Sequence, residues 1–291
     1  MKKETVKFAE REGKDLFLTH YISETSSTRG CVIFVFGGGF AFGSRDSRTY
    51  QSYFSWLCDN GYDVASIDYR LGLSREYNDY GWKHGAWGQL KRYQTSIEWA
   101  RDDMLSATAF VLKNAAGWNV DSGKIIACGS SAGAITCLMA ENAICNGDCA
   151  GVLPSQFNYA GIISFAGAIF SMKGHPKWDS QPCPMMLFHG NSDRNVPYKR
   201  ASMFRKGLWG SSYIVRQLKK NDWSYYFYDG TYQDHSLATT PMNDCRSEIL
   251  TFLRSAVERK ECLQIHNQVR NLSIPKRKTK FLPFIYLSQK G

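Results

Sequence analysis

The sequence predicts an α/β protein built on a doubly wound, mostly parallel sheet with helices on both faces. Three observations predict it. Short, near-continuously apolar runs recur along the chain, stretches of helical spacing alternate with them, and glycine-rich turns stand where several of the runs end. A strand that is apolar throughout is one covered on both faces, as in parallel sheets flanked by helices. Alternation of such strands with helices favours parallel crossovers over hairpins.

Taken in order, segments around 4–8 and 15–22 alternate in polarity and read as an antiparallel edge. "CVIFVF" (31–36), "VASIDYR" (64–70), "KIIACGS" (124–130), "AGIISFAG" (160–167), "PMMLFHG" (184–190) and "YYFYDG" (225–230) read as the main strands. Residues 47–60, 90–116, 132–145, 196–208 and 243–260 carry helical spacing. Gly117 suits a helix C-terminus and Asp121 starts the turn into the strand at 124. No repeat, linker or compositional break precedes about 260. Residues 1–260 therefore read as one domain and 261–291 as a basic C-terminal extension.

The 291 residues, 43% of them hydrophobic, can build one large core. No run approaches the ~18 apolar residues of a membrane span. The N-terminus is basic without an apolar segment behind it, which argues for a cytoplasmic protein; a trimmed secretory precursor would look the same. Of the net charge of +10, +7 lies from Arg254 onward, leaving +3 for the first 253 residues. Such a balance, with no aromatic-plus-basic module elsewhere, gives no reason to expect a nucleic-acid partner. The nine cysteines include no C-x-x-C pair and no His/Cys cluster at metal spacing, so neither a metal nor another cofactor is expected. Cys145 and Cys149 are close enough in sequence for a local bridge, though reduced thiols are the plainer reading. Oligomeric state is not legible.

Chemistry gathers at the carboxyl ends of the predicted strands, where ligands bind in such sheets. "IIACGSSAGAIT" (125–136) runs a strand into a Gly-Ser-Ser-Ala-Gly turn and then a helix. Glycines at 129 and 133 permit a tight elbow that would set Ser131 at the helix N-terminus as a nucleophile. "FGGGFAFGS" (36–44) follows an early strand; consecutive glycines let backbone N–H groups approach a developing oxyanion. "HGNSDRNVP" (189–197) puts Asp193 on a loop where a carboxylate can orient an imidazole, with Val196-Pro197 opening the next helix. His189, closing an apolar strand, reads as structural. "YQDHSL" (232–237) supplies His235 as the proton shuttle, while the adjacent Asp234 reads as a loop hydrogen-bonding residue. A lone G-x-S-x-G is common by chance. Four such features in the order Ser, Asp, His, each after a successive strand, are far more specific.

These motifs resemble the α/β-hydrolase superfamily, and within it the hormone-sensitive-lipase-like carboxylesterases and compact carbohydrate esterases, over roughly 30–255. "FGGGFAFGS" is similar to the family's H-G-G-G-[FW]-x-x-G-S. That resemblance implies Gly38 and Gly39 as oxyanion donors, joined by the N–H of Ala132. "DYRL" (68–71) matches a family motif in which Asp68 and Arg70 are structural. Two departures stand out: Phe36 replaces the motif's leading His, and Ser130 precedes the nucleophile where Asp is common. Only 62 positions separate Ser131 from Asp193, which leaves room for a minimal lid and implies an open site.

The resemblance implies a serine carboxylic-ester hydrolase working through an acyl-enzyme on small or carbohydrate-linked acyl esters, acetyl or feruloyl in type. A serine peptidase of the prolyl-oligopeptidase kind shares the triad order but needs a propeller domain that this chain has no room for. A non-catalytic binding protein on the same scaffold usually lacks a triad member, and none is missing here. Residues 72–99 crowd Tyr77, Tyr80, Trp82, Trp87, Tyr93 and Trp99 among glycines. Tyr93 and Trp99 read as packing. Tyr80, Trp82 and Trp87 fit equally a packed cluster and a platform for a sugar or aryl group, Trp82 and Trp87 being the substrate-contact candidates.

Overall fold

The computed structural model describes residues 2–25, 30–77, 85–149, 151–203 and 205–276. The chain opens with an antiparallel hairpin, β1 (Lys2–Arg11) and β2 (Lys14–Ile22). Glu12 and Gly13 turn it, both at positive φ, as a two-residue hairpin loop requires. Then come β3 (Gly30–Val35), α1 (Arg48–Asp59), β4 (Tyr62–Ile67), α2 (Gly85–Trp118), β5 (Ile125–Ser130) and α3 (Ala132–Cys145). The second half contains β6 (Gly161–Phe165), β7 (Ala168–Ser171), β8 (Met185–Gly190), β9 (Arg200–Met203), β10 (Lys206–Gly210) and α4 (Ser211–Lys220). It ends with β11 (Tyr225–Thr231), α5 (Pro241–Asp244), α6 (Arg246–Phe252), a π-helical turn over Leu253–Glu258, and β12 (Gln264–Arg270).

Nine strands form one sheet in the order β1-β2-β4-β3-β5-β6-β8-β11-β12. Only the β1–β2 and β2–β4 pairings are antiparallel. Every residue of β3, β4, β5, β6 and β8 is buried, in keeping with their mostly apolar character and with strands covered on both faces. From β3 the chain crosses to β4 on one side and later to β5 on the other. The loops after β3 and β5 therefore diverge and leave a crevice between them, the usual place for a site in such a sheet.

Two sequence expectations are corrected here. Residues 196–208 are not helical: they hold the β9–β10 hairpin, which pairs with β7 in a separate three-stranded sheet. Gly207 at φ +147° and Gly210, on which a side chain would strike the Pro197 carbonyl, break any helix there. Leu208 and Trp209 are buried from the extended strand instead. The helix begins at Ser211, where Ile214, Val215 and Leu218 provide the apolar face. Residues 264–270, assigned above to the basic extension, add the ninth strand, parallel to β11. That strand is polar and lies half open at the sheet edge, so its sequence carried no strong apolar signal. No helix among the described residues is long and apolar enough to cross a membrane.

Between β6 and β8 lie only residues 166–184, so no separate domain is inserted between these two strands. All nine cysteines are free, Cys145 and Cys149 included. Arg70 closes a buried pair with Asp103, its guanidinium donating to both carboxylate oxygens, and Asp68 accepts from Arg45 and the Phe17 amide. Both thus hold the β2–β4 side of the frame.

Candidate active site

Ser131 sits between the last residue of β5 and the first of α3, at φ +52° and ψ −113°. A non-glycine residue there is strained by roughly 1–3 kcal/mol. The strain is maintained by the surroundings: the Ser131 amide donates to the Phe165 carbonyl at 2.8 Å, and its carbonyl accepts from Ile135 at 2.9 Å. The elbow also depends on its two glycines. A Cβ on Gly129 would collide with the Gly133 carbonyl, and one on Gly133 would collide with the Val35 carbonyl of β3. Strand and helix therefore meet at a distance only glycine allows.

His235 begins a helical turn (His235–Ala238) in the loop after β11, capped by Asp234, whose carboxylate accepts from the Ser236 amide at 3.1 Å. Its Nε2 lies 2.9 Å from Ser131 Oγ and its Nδ1 2.7 Å from Asp193 Oδ2. With Nδ1–H donated to the carboxylate, Nε2 is left to accept from the serine hydroxyl. Ser130, the residue before Ser131, points elsewhere: its hydroxyl donates to the Ala238 carbonyl at 2.8 Å. The elbow and the histidine turn are thereby tied together.

Asp193 is buried in the loop after β8. Its second oxygen accepts from the amides of Asn195 (2.7 Å) and Val196 (3.0 Å). Burial alone would raise its pKa, but the imidazoles of His189 and His235 outweigh burial and hold the carboxyl well below the usual range. His189 is fully buried, with Nε2 3.5 Å from Asp193 Oδ2, the oxygen that faces His235, and 3.2 Å from the Val196 carbonyl, and Nδ1 2.8 Å from Ser211 Oγ. Its partners are structural ones: it braces the acid loop against α4.

Opposite the elbow, the loop after β3 turns through Gly38 (φ +133°) and Gly39 (φ +60°). Among the described residues no group accepts from the Gly38 or Gly39 amides. Ala132, the first residue of α3, has no carbonyl one turn back to bond. The missing histidine of the motif is replaced by tyrosines. Tyr69 donates its hydroxyl to the Phe36 carbonyl at 3.0 Å and packs on the Phe36 ring at 4.6 Å. Tyr50, from α1, accepts the Gly37 amide at 3.1 Å. Nothing in the sequence singled out Tyr50; the only available signal was that Phe36 leaves the loop in need of another support.

Ser131, His235 and the glycine loop open on a cavity of about 690 Å³. Its wall is rich in hydroxyl, amide and guanidinium groups, among them Ser47, Thr49, Gln89, Arg92 and Asn195. Phe42 stands at its rim, 68% exposed. Of the aromatic candidates, only Trp87 is among the described residues. Trp87 is 60% exposed on the first turn of α2, with Lys206 Nζ 5.2 Å from its ring, and does not line the cavity. Trp82 and Tyr80 lie outside the described residues. Among those residues, no group of three or more His, Cys, Asp or Glu could hold a metal.

No family model and no curated protein matches this sequence. Solved structures do match. Esterase 2 of the planctomycete Thermogutta terrifontis, phosphonylated by cyclosarin, superposes with a TM-score of 0.61 at 20% identity, over 90% of this chain and 96% of that one. The chain has the α/β-hydrolase fold. The propionate-bound form of the same esterase aligns over 86% of this chain and 94% of its own, with a TM-score of 0.59 and 20% identity. A form phosphorylated by paraoxon gives 0.59 at 19% identity, with the same coverage. In this fold the loops at the strand ends bring Ser131, His235 and Asp193 together in one hydrogen-bonded row.

Proposed function

We propose that the protein is a serine carboxylesterase acting through an acyl-enzyme on small, polar acyl esters, including acetyl or feruloyl esters of carbohydrates. The observation that carries this reading is the unbroken relay from Ser131 Oγ through His235 to Asp193, at 2.9 and 2.7 Å, on the wall of an accessible cavity. Ser131 Oγ attacks the ester carbonyl while its proton passes to His235 Nε2. The carbonyl π pair becomes an oxyanion facing the amides of Gly38, Gly39 and Ala132. Collapse re-forms the carbonyl and expels the alcohol, which takes the proton from His235. Water, activated by the same imidazole, then releases the acid. Asp193 keeps Nδ1–H in place and stabilises the imidazolium in both halves.

The polar wall supports an alcohol or acyl portion carrying hydroxyl groups, and the exposed Phe42 ring offers one apolar face at the entrance. The likeness to an esterase obtained in organophosphate adducts supports the same chemistry. Two measurements test the reading: covalent labelling by a fluorophosphonate, and hydrolysis of p-nitrophenyl acetate beside acetylated and feruloylated sugars. Labelling of the wild type but not of Ser131→Ala, with turnover of at least one ester, is expected. A wild type that neither labels nor turns over would overturn it.

A further inference from the structure

We infer that the phenol of Tyr50 is an oxyanion donor, acting on the reacting carbonyl oxygen beside the backbone amides; the inference rests on the ester-hydrolase reading above. The Tyr50 oxygen accepts the Gly37 N–H at 3.1 Å, which is the hydroxyl's one hydrogen bond to the described residues. Its own proton therefore has no acceptor among the described residues. Yet Tyr50 is 7% exposed, and it lines the cavity shared with Ser131 and His235.

The position is fixed rather than sampled. The ring packs on Phe34 at 4.7 Å between centroids and on Phe54 at 6.1 Å, both buried, so the hydroxyl is carried on a rigid lever from α1. It also lies beside the chemistry. A Cβ built on Gly37 would stand 3.4 Å from Ser131 Cβ, so the residue whose amide Tyr50 accepts abuts the nucleophile. The bond consumes the Gly37 N–H, leaving the Gly38, Gly39 and Ala132 amides as backbone donors and the Tyr50 O–H as a side-chain one. Accepting from an amide also polarises the phenol and makes it a stronger donor. A preorganised donor acts on charge that exists only in the transition state. No proton leaves Tyr50: as the serine adds, the carbonyl π pair moves onto oxygen, and the phenol holds that charge by a hydrogen bond until the C–O bond to the alcohol breaks.

The test is Tyr50→Phe, which keeps the ring and removes the hydroxyl. Rates on p-nitrophenyl acetate are expressed per active site titrated to completion with a fluorophosphonate, so loss of folded protein does not register. Alongside them are measured the inhibition constants of a methyl trifluoromethyl ketone, which forms a tetrahedral oxyanion on the serine, and of product acetate, which does not. The expected result is a fall in kcat on the order of 10²-fold with KM little changed. Ketone affinity should weaken by a similar factor while acetate affinity stays as it was. A kcat within threefold of wild type overturns the inference. So does a fall in kcat without loss of ketone affinity, which would make Tyr50 a support for the glycine loop and nothing more. Failure of the wild type itself to label or hydrolyse would strike the ester-hydrolase reading instead.

Discussion

Replacing Asp193 by Asn tests the proposed relay most sharply, because the structure gives the new amide two orientations and neither works. Asp193 offers one oxygen to His235 Nδ1–H and the other to the amides of Asn195 and Val196. If Asn turns its NH₂ toward those amides, two donors face a donor, at roughly 1–3 kcal/mol each. The opposite orientation avoids that cost and aims the NH₂ at His235 Nδ1. Nδ1 must then accept, and the ring proton moves to Nε2, facing Ser131 Oγ with nothing to receive the serine proton. The folded variant should adopt this second arrangement, with kcat lower by on the order of 10⁴, about 5.5 kcal/mol of transition-state stabilisation. Circular dichroism and thermal melting establish the fold; initial rates on p-nitrophenyl acetate, with Ser131→Ala as background, give the loss. A kcat within tenfold of wild type in a folded protein would refute the reasoning and move the orienting acid elsewhere. Stability supplies a second reading. Because the native carboxyl is held below its ordinary value of 3.8, its contribution is fully present above that pH and is lost as pH falls through the depressed value. The stability gap between wild type and Asp193→Asn should be flat above about pH 5 and shrink in stronger acid.

Ser131→Ala should cut turnover by 10⁴ or more and abolish fluorophosphonate labelling, whereas Ser130→Ala should label normally and lose about 1–3 kcal/mol in chemical denaturation, for its hydroxyl satisfies the buried Ala238 carbonyl. Trp87→Ala should leave stability within ~0.5 kcal/mol and esterase rates near wild type, because the ring is mostly exposed and outside the cavity lining. A large fall in melting temperature, or a selective loss on feruloylated sugar, would contradict that placement. Burial raises the pKa of Glu141, one of whose oxygens has no partner while the other accepts from the Cys183 amide. The unfolded chain therefore gives up this proton at lower pH than the native one, and wild-type stability should decline as pH rises from 4.5 through the raised value. Glu141→Gln should remove that decline, read as denaturation midpoints at pH 5 and pH 8.

What the sequence made legible is what depends on neighbours along the chain. The strands of the parallel sheet announce themselves because burial on both faces leaves few polar positions to blur them. The elbow does so because one tight turn needs Gly129 and Gly133 whatever surrounds it. Ser131, Asp193 and His235 each follow a strand, so their convergence followed from the fold class alone. Residues 196–208 differ from the helical reading because Leu208 and Trp209 are buried by pairing in a second small sheet that no local period encodes. The last strand was missed for the opposite reason, since an edge needs few apolar residues to pair its backbone.

The glycine loop marks the boundary between these two kinds of information. Its glycines are a local signal, legible because a backbone that must approach a ligand excludes side chains. Its support is not local. A histidine at position 36 would have braced the loop from within the motif, but Phe36 cannot donate or accept, so the bracing comes from elements apart in sequence: Tyr69 after β4 and Tyr50 on α1. Each uses its hydroxyl on a different backbone group, Tyr69 giving a proton to the Phe36 carbonyl and Tyr50 taking one from the Gly37 amide. The difference matters for chemistry. A donor to the loop has spent its proton, whereas an acceptor from the loop keeps it, and it is this proton that the role proposed for Tyr50 uses. With phenylalanine at position 36, the brace thus comes from outside the motif, and one of its members lines the cavity.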